Sequence, residues 1–301
     1  MSAKRVLITG ISGFTGHYVR QEFLAHGWEV FGCGTRPTAD VPGYYPVDLL
    51  KPETLGPVIS EVQPTAVVHL AGIAFAAHRH PIDFYNTHVQ GTLHLLDALS
   101  TRAPDLQKVL LVSTGNVYGN TVPGVYDESA ALKPFNDYGA SKLAMEYMAW
   151  LWRERLPIVI ARPFNYTGVG QAAHFLLPKI IEHVARRASD IELGNLHVRR
   201  DYSDVRNVAT AYRRLVESAD ARGAVNVCSS DAYSVNEVLR MVAEISGHTM
   251  KVHVNPAFVR AGEVDLLCGS HQKLEATVGA IEWIPLRDTL AWMLTAARAM
   301  Q

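Results

Sequence analysis

Tyr138 and Lys142 stand four residues apart in Tyr138-Gly139-Ala140-Ser141-Lys142, which puts a phenol and an ammonium on one face of a helix start. A tyrosine is a poor proton donor or acceptor near neutral pH unless a neighbouring cation draws its pKa down. Lys142 is placed to do that, and its side chain is long enough to reach a bound ribose as well. Thr114 is the third group. It lies in Ser113-Thr114-Gly115-Asn116-Val117-Tyr118-Gly119, directly after the apolar run from Val109 to Val112. Its hydroxyl therefore falls at the carboxyl end of a strand, where open α/β sheets bind ligands. A Y-x-x-x-K pair alone arises often by chance. Its position, one strand and one loop after Thr114, makes the combination specific.

A second constellation lies near the start of the chain. Gly10-Ile11-Ser12-Gly13-Phe14-Thr15-Gly16 follows the strand-like Arg5 to Thr9 and opens a helical pattern from Thr15 to His26. Glycines there permit a tight turn and close approach of backbone to a pyrophosphate, and the helix N-terminus supplies oriented N–H groups. Gly10, Ser12, Gly13, Phe14, Thr15 and Gly16 are thus the candidates for cofactor binding. The spacing is G-x-x-G-x-x-G, and an ordinary strand–helix turn is the alternative. Its place at the head of a strand–helix series favours a dinucleotide. The second strand ends in Gly32-Cys33-Gly34-Thr35-Arg36, with no carboxylate for ribose hydroxyls and an arginine in reach of a 2′-phosphate. That favours NADP (as NADPH) over NAD, unless Arg36 is simply a solvated loop charge. Asp48, beside Leu49, follows a third strand and is placed to accept from an adenine amino group. The backbone of Leu70, Ala71 and Gly72 is expected to pass beneath the cofactor.

The elements that must position these groups alternate. Trp28 to Gly32, Val67 to Leu70, Val109 to Val112 and Pro157 to Ala161 read as strands. Helical patterns run from Asp83 to Leu99 and from Tyr138 to Arg155. Strands without polar alternation are those buried on both faces, so the class is α/β, a Rossmann-like doubly wound parallel sheet. Beyond Pro163 the pattern loosens. Helices are expected at Phe175 to Arg187, Val205 to Ala219, Ser234 to Ser246 and Arg287 to Arg298, with strands at 191–193 and 225–227. Ser234 and Glu237 form a capping box. With no repeats or long linkers, the lobes are expected to interleave. Residues 1–165 form the dinucleotide-binding domain, joined by returning segments near 204–228 and 264–272, and 166–301 form mainly a smaller α/β substrate lobe.

Composition narrows the rest. The 301 residues carry 28 basic and 29 acidic side chains, a formal net charge of −1, so there is no basic footprint for nucleic acid. With 48% hydrophobic and 19% charged residues, disorder is excluded. The uncharged stretch from Val62 to His78 is broken by Gln63, Pro64, Thr65 and His69, so no membrane span is expected. Three scattered cysteines, Cys33, Cys228 and Cys268, favour a reducing compartment and a cytoplasmic location. Among thirteen histidines, His78, His80, His88 and His94 cluster in sequence, yet His88 and His94 do not share a helical face and no ligand set has familiar spacing. No metal is expected, and His78 and His80 read as substrate-facing loop residues.

Gly10/Gly13/Gly16, Leu70-Ala71-Gly72, Ser113 to Gly119, Tyr138/Lys142 and Arg162-Pro163-Phe164-Asn165 together resemble the extended short-chain dehydrogenase/reductases (the NAD-dependent epimerase/dehydratase family), which act mainly on nucleotide sugars. The resemblance covers the whole chain in motif order. It implies Thr114, Tyr138 and Lys142 as the catalytic triad, Pro163 at the cofactor and Asn116 and Asn165 at the substrate pocket. The family's 4,6-dehydratases carry an acid two residues after the hydroxyl, whereas this chain has Asn116, which cannot titrate. A ketone reductase or an epimerase remains. Leu193-Gly194-Asn195, Arg200-Asp201-Tyr202 and Arg260 to Leu267 resemble the GDP-mannose 4,6-dehydratase branch, and Gly168 to Gln171 and Asn226 to Ser229 resemble the GDP-4-keto-6-deoxyhexose reductase branch. The resemblance thus implies an NADPH-dependent 4-ketoreductase of a GDP-6-deoxyhexose. Arg200 and Arg260 would clamp the diphosphate, Glu263 would accept from the guanine or ribose, and Phe175, Leu176 and Lys179 would line the sugar or base pocket. The alternatives are a 4-epimerase holding NAD tightly and a non-enzymatic NADP-binding sensor. A homodimer through a four-helix interface is also implied, with Met145, Met148 and Trp152 as outer apolar positions; ordinary core is the other reading for these three. One departure stands out: His88 precedes Val89-Gln90-Gly91-Thr92 where the family usually carries asparagine.

Overall fold

A computed structural model describes residues 4–35, 41–74, 80–119, 124–259 and 265–300. The chain begins β1 (Arg5–Thr9), α1 (Phe14–Ala25), β2 (Glu29–Gly34), β3 (Tyr44–Pro46), α2 (Leu55–Val62) and β4 (Ala66–His69). It continues α3 (Pro81–Tyr85), α4 (Gly91–Arg102), β5 (Lys108–Val112), β6 (Val125–Tyr126), α5 (Asp137–Trp150), β7 (Ile158–Pro163) and β8 (Asn165–Thr167). Then come α6 (Leu176–Ala185), β9 (Asp190–Leu193), β10 (Arg199–Asp204), α7 (Val205–Glu217) and β11 (Gly223–Val227). The last elements are β12 (Ala232–Ser234), α8 (Val235–Ser246), β13 (Lys251–Val254), β14 (Leu266–Gly269), α9 (Gln272–Val278) and α10 (Leu286–Ala299).

Seven parallel strands in the order β11-β7-β5-β4-β1-β2-β3 form the main sheet. The order reverses at β1, which leaves a crevice at the carboxyl ends of β1 and β4. The unalternating strands are explained by two cores, one on each face. On β1, Val6 and Ile8 enter a core with Val19 and Phe23 of α1 and with Val208, Tyr212 and Leu215 of α7. Leu7, between them, points to the opposite core with Ile59 of α2, Leu95 and Leu99 of α4 and Met145 of α5. The Rossmann-like class is as expected from the sequence.

The second half folds back into the first. α7 covers one face of the main sheet and β11 extends its edge beside β7. The expected return near 264–272 takes a different form. Leu266–Gly269 pairs with β10 and β6 in a second, smaller sheet, and it is the following α9 that reaches the main core, through Leu274. The second lobe has its own core, built from Leu177, Ile180 and Ile181 of α6, Val238 and Val242 of α8, and Leu290 and Leu294 of α10.

Local signals account for several boundaries. Ser234 and Glu237 close a full capping box on α8, and Gly247 ends that helix in the left-handed conformation. The single helix expected from Asp83 to Leu99 is instead α3, a π turn over Asn86–Gln90, and α4. The Tyr138-to-Arg155 pattern ends at Trp150, after which turns lead to the buried Leu156. Of the expected outer apolar positions, Met145 is in the core and Met148 and Trp152 pack against it. The exposed apolar residues of this segment are Tyr147, Trp150 and Leu151. Among the described residues, no helix is long and apolar enough to cross a membrane.

Candidate active site

A cleft of about 1750 Å3 runs from the glycine turn, across the carboxyl ends of the central strands, into the second lobe. At its near end, Gly10 has φ +72°, and a Cβ there would lie 2.9 Å from the Ala71 backbone nitrogen. The turns after β1 and β4 therefore pack backbone to backbone, and only glycine fits. The Ala71 N–H donates to Thr9 Oγ1 at 3.1 Å and fixes the second turn. Gly13 N-caps α1 with no side-chain cap, and no acidic residue lies in its first turn. The first N–H groups of α1 and its positive end are thus open to an anion, as a pyrophosphate requires. Ser12, Phe14, Thr15, Gly16, Asp48, Leu49, Leu70, Gly72 and Pro163 line the same cleft. One Asp48 oxygen accepts from the Leu50 N–H at 3.0 Å. Arg36 lies outside the described residues, and Gly34 and Thr35, which precede it in sequence, line the cleft.

The three predicted catalytic side chains converge on this cleft. Thr114 caps the single turn Gly115–Val117 after β5, and its Oγ1 accepts from Asn116 twice, from N–H at 3.2 Å and from Nδ2 at 3.0 Å. Its hydroxyl acts on Tyr138, favouring the ionised phenol. Tyr138 sits in the first turn of α5, whose start is set by Asn136 Oδ1 accepting from the Gly139 N–H at 2.8 Å. Burial pushes the Tyr138 phenol up to about 12, with the Thr114 bond working against it. The expected lowering by Lys142 is absent from this arrangement. Lys142 Nζ instead donates to the Val112 carbonyl at 2.8 Å, and burial pulls its pKa down to about 8, opposed by the charge of Glu146.

Beneath these groups is a buried polar network that sequence reading missed. Glu146 and Arg162 form a bidentate pair, with contacts of 2.6 and 3.0 Å and both side chains 6% exposed. Ser113 Oγ also donates to Glu146, Arg162 donates to Tyr118 Oη at 3.0 Å, and Tyr118 donates to Asn226 Oδ1 at 2.7 Å. One signal was available: Glu146 continues the four-residue spacing of Tyr138 and Lys142. His88, the departure from the family pattern, is fully buried beside Tyr138, with its ring between Ile73 and Ser141.

At the far end the cleft is lined by Asn165, Phe175, Leu176, Lys179 and Arg200, by Gln171, Asn195 and Tyr202 of the segments that carry the resemblance, and by His174, which was not anticipated. Buried Asn165 Nδ2 has no partner within the described protein, the condition of a donor awaiting a ligand. Lys179 Nζ donates to the Glu192 carbonyl at 2.7 Å and lies 4.7 Å from the Phe258 ring centroid. Arg200 reaches the cleft from β10, one of its nitrogens donating to the Arg199 carbonyl at 2.8 Å. Arg260, Glu263 and His78 lie outside the described residues. His94 Nδ1 bonds the Leu49 carbonyl at 2.7 Å, away from His88.

A model of the NAD dependent epimerase/dehydratase family matches residues 6–228. The chain belongs to that family. Its members are NAD(P)-dependent enzymes, and the open helix N-terminus and backbone-tight turn at Gly10 suit such a cofactor. The chain is 33% identical to a GDP-6-deoxy-D-mannose reductase of Pseudomonas aeruginosa, over 97% of this chain and 96% of that one. It superposes on a structure of RMD from Pseudomonas aeruginosa complexed with NADPH at a TM-score of 0.87, with 30% identity and 99% of each chain covered. It also matches a Burkholderia cenocepacia J2315 protein provisionally called an epimerase, at 48% identity, a TM-score of 0.93 and 98% of each chain.

Proposed function

We propose that this enzyme reduces the C4 ketone of a nucleotide-diphosphate 4-keto-6-deoxyhexose, GDP-4-keto-6-deoxymannose, to a GDP-6-deoxyhexose of the rhamnose or talose type. Asn116 carries the reading. The position that needs an acid for dehydration holds an amide, which lines the cleft and donates to Thr114. The similarity to the Pseudomonas aeruginosa reductase supports the substrate, and the NADPH complex of RMD supports the cofactor.

The glycine turn, Asp48, Leu49, Leu70 to Gly72 and Pro163 would hold NADPH, with Arg36 our candidate for its 2′-phosphate, and the bound cofactor would supply the hydride for C4. Tyr138 gives its proton to the oxygen that becomes the C4 hydroxyl. Thr114 hydrogen-bonds the same oxygen, and Lys142, bonded here to the Val112 carbonyl, would act by reaching the cofactor ribose. Asn165, Phe175, Lys179 and Arg200 hold the sugar nucleotide, with Arg260 and Glu263 completing the diphosphate and base contacts. A thermal-shift panel of GDP, UDP and dTDP tests the base: GDP should give the largest rise, and a larger UDP response would reject it.

The second reading is a nucleotide-sugar 4-epimerase with tightly held NAD, favoured by the likeness to the Burkholderia cenocepacia protein. Gly34 and Thr35, where ribose hydroxyls would want a carboxylate, weigh against it. Cofactor released on denaturing the purified protein separates the two readings. We further propose a homodimer through α4 and α5, because Tyr147, Trp150 and Leu151 are 64%, 52% and 77% exposed. Light scattering giving a monomer mass would reject it.

A further inference from the structure

His88 is a buried ring whose two nitrogens serve different elements. Nε2 accepts from the Ile73 backbone N–H at 3.1 Å, on the turn that lines the cofactor end of the cleft. A backbone N–H can only donate, so Nε2 carries no proton and Nδ1 carries the ring's hydrogen. Nδ1–H then donates to Ser141 Oγ at 2.9 Å, and Ser141 Oγ donates to the Tyr138 carbonyl at 2.9 Å. Ser141 sits between Tyr138 and Lys142 in sequence, so this chain ends on the turn that carries both.

The ring has no room to swing. Its centroid is 5.8 Å from that of Tyr138 and 5.7 Å from that of Phe84 on α3, the first edge-on. A Cβ on Gly72 would lie 3.1 Å from His88 Nε2 and 3.4 Å from Lys142 Nζ, so the imidazole and the ammonium crowd the same point on the turn. The His88 backbone is held too. Its carbonyl accepts from Thr92 Oγ1 at 2.6 Å, and Thr92 Oγ1 accepts from His69 Nε2 at 2.9 Å. His69 Nδ1 accepts from Thr9 Oγ1 at 2.7 Å, the same hydroxyl that receives the Ala71 N–H. The π turn over Asn86–Gln90 delivers His88 to this place, a feature often found at functional sites.

We propose that His88 is a positioning residue for the reaction, its ring tying the cofactor-side turn at Ile73 to the helix turn that carries Tyr138 and Lys142. This rests on the reductase reading only where turnover is measured. A protonated ring would set a second N–H against that of Ile73, so the tie requires the neutral form. The titratable groups facing the ring are Tyr138 and Lys142 from α5 and His69 from β4. Burial, then the Lys142 charge and then His69 hold His88 down to about 2.

Two measurements test the tie. In protein carrying 15N-histidine, the ring signal that disappears in His88→Asn should show a protonated Nδ1 and a bare Nε2, unchanged between pH 8 and pH 5.5. An Nε2–H tautomer, or titration within that range, overturns the proposal without any substrate. In turnover, His88→Asn, which keeps one donor and one acceptor, should hold kcat within about threefold, whereas His88→Phe and Ser141→Ala should lose about tenfold or more in kcat with KM little changed. Ser141→Ala removes only a hydroxyl and decides the matter if His88→Phe folds poorly. Full kcat in Ser141→Ala, or equal loss in His88→Asn and His88→Phe, overturns the proposal. A wild-type protein with the expected tautomer but no turnover contradicts the proposed function and not the tie.

Discussion

Lys142 and Glu146 stand one helical turn apart on α5, both buried, and the carboxylate works against burial to keep the lysine protonated. Glu146 is itself held by Arg162 and by Ser113, the residue next to Thr114. Charge and geometry at the site therefore depend on the same side chain.

A pH profile should reveal this. Lys142 loses its proton near pH 8, so kcat/KM is expected to fall above pH 8. Removing the neighbouring negative charge in Glu146→Gln should move that alkaline limb down by about one unit or more. An unmoved limb in Glu146→Gln would show that the carboxylate does not act on Lys142.

Truncating the same residue tests stability. Glu146→Ala leaves the Arg162 guanidinium buried without its partner, which typically costs roughly 3–5 kcal/mol. Urea unfolding should show a lower midpoint than for Glu146→Gln, which keeps an acceptor for Arg162. Equal midpoints for the two variants would contradict the pairing as the source.

Acid should destabilise the fold through two buried histidines. Their combined effect outweighs the opposite one of Asp201, a carboxyl that burial pushes up to about 6 and that therefore takes up its proton in the folded state. His69 and His88 are held down to about 3 and about 2 by burial, whereas unfolded histidine titrates near pH 6.5. Their stabilising contribution is thus complete above about pH 6.5 and is lost as pH falls towards the folded values, because at these two rings only the unfolded chain takes up protons. Each histidine adds a slope of about 1.4 kcal/mol per pH unit below that point. Unfolding free energies at pH 7.5 and 5.5 should differ accordingly, and His88→Asn should reduce the difference. A wild-type curve flat over this interval would contradict both buried neutral rings.

Much of this arrangement was legible in the residues. β1 and β5 read as buried strands because each supplies alternate side chains to two cores, and the placement of Thr114, Tyr138 and Lys142 in one cleft follows from motif order alone. β10 was not legible. Its Asp201, Ser203 and Asp204 are buried polar residues that look like loop, and alongside local bonds such as Arg206 to Asp204 they rely on the distant partners Ser229, Ser230 and Thr289. The π turn was hidden because the buried positions on both sides of it, Phe84, His88, Thr92, Leu95 and Leu99, keep an ordinary helical spacing. Glu146 reads as a helix-surface charge until Arg162, on a different strand, is placed against it.

For the chemistry itself, Tyr138→Phe removes the proton donor while keeping the ring. It should lower kcat by about a hundredfold to ten-thousandfold, with NADPH binding little changed because the glycine turn and α1 are untouched. Retained turnover in this variant would assign the proton to another group.

The most direct measurement follows nicotinamide absorbance after GDP-4-keto-6-deoxymannose is added to purified protein and NADPH. The account predicts a loss of NADPH equal to the keto sugar consumed, with a GDP-6-deoxyhexose as product and no such loss with UDP-glucose. Unchanged absorbance, together with interconversion of C4 epimers of a nucleotide sugar without added cofactor, would contradict it.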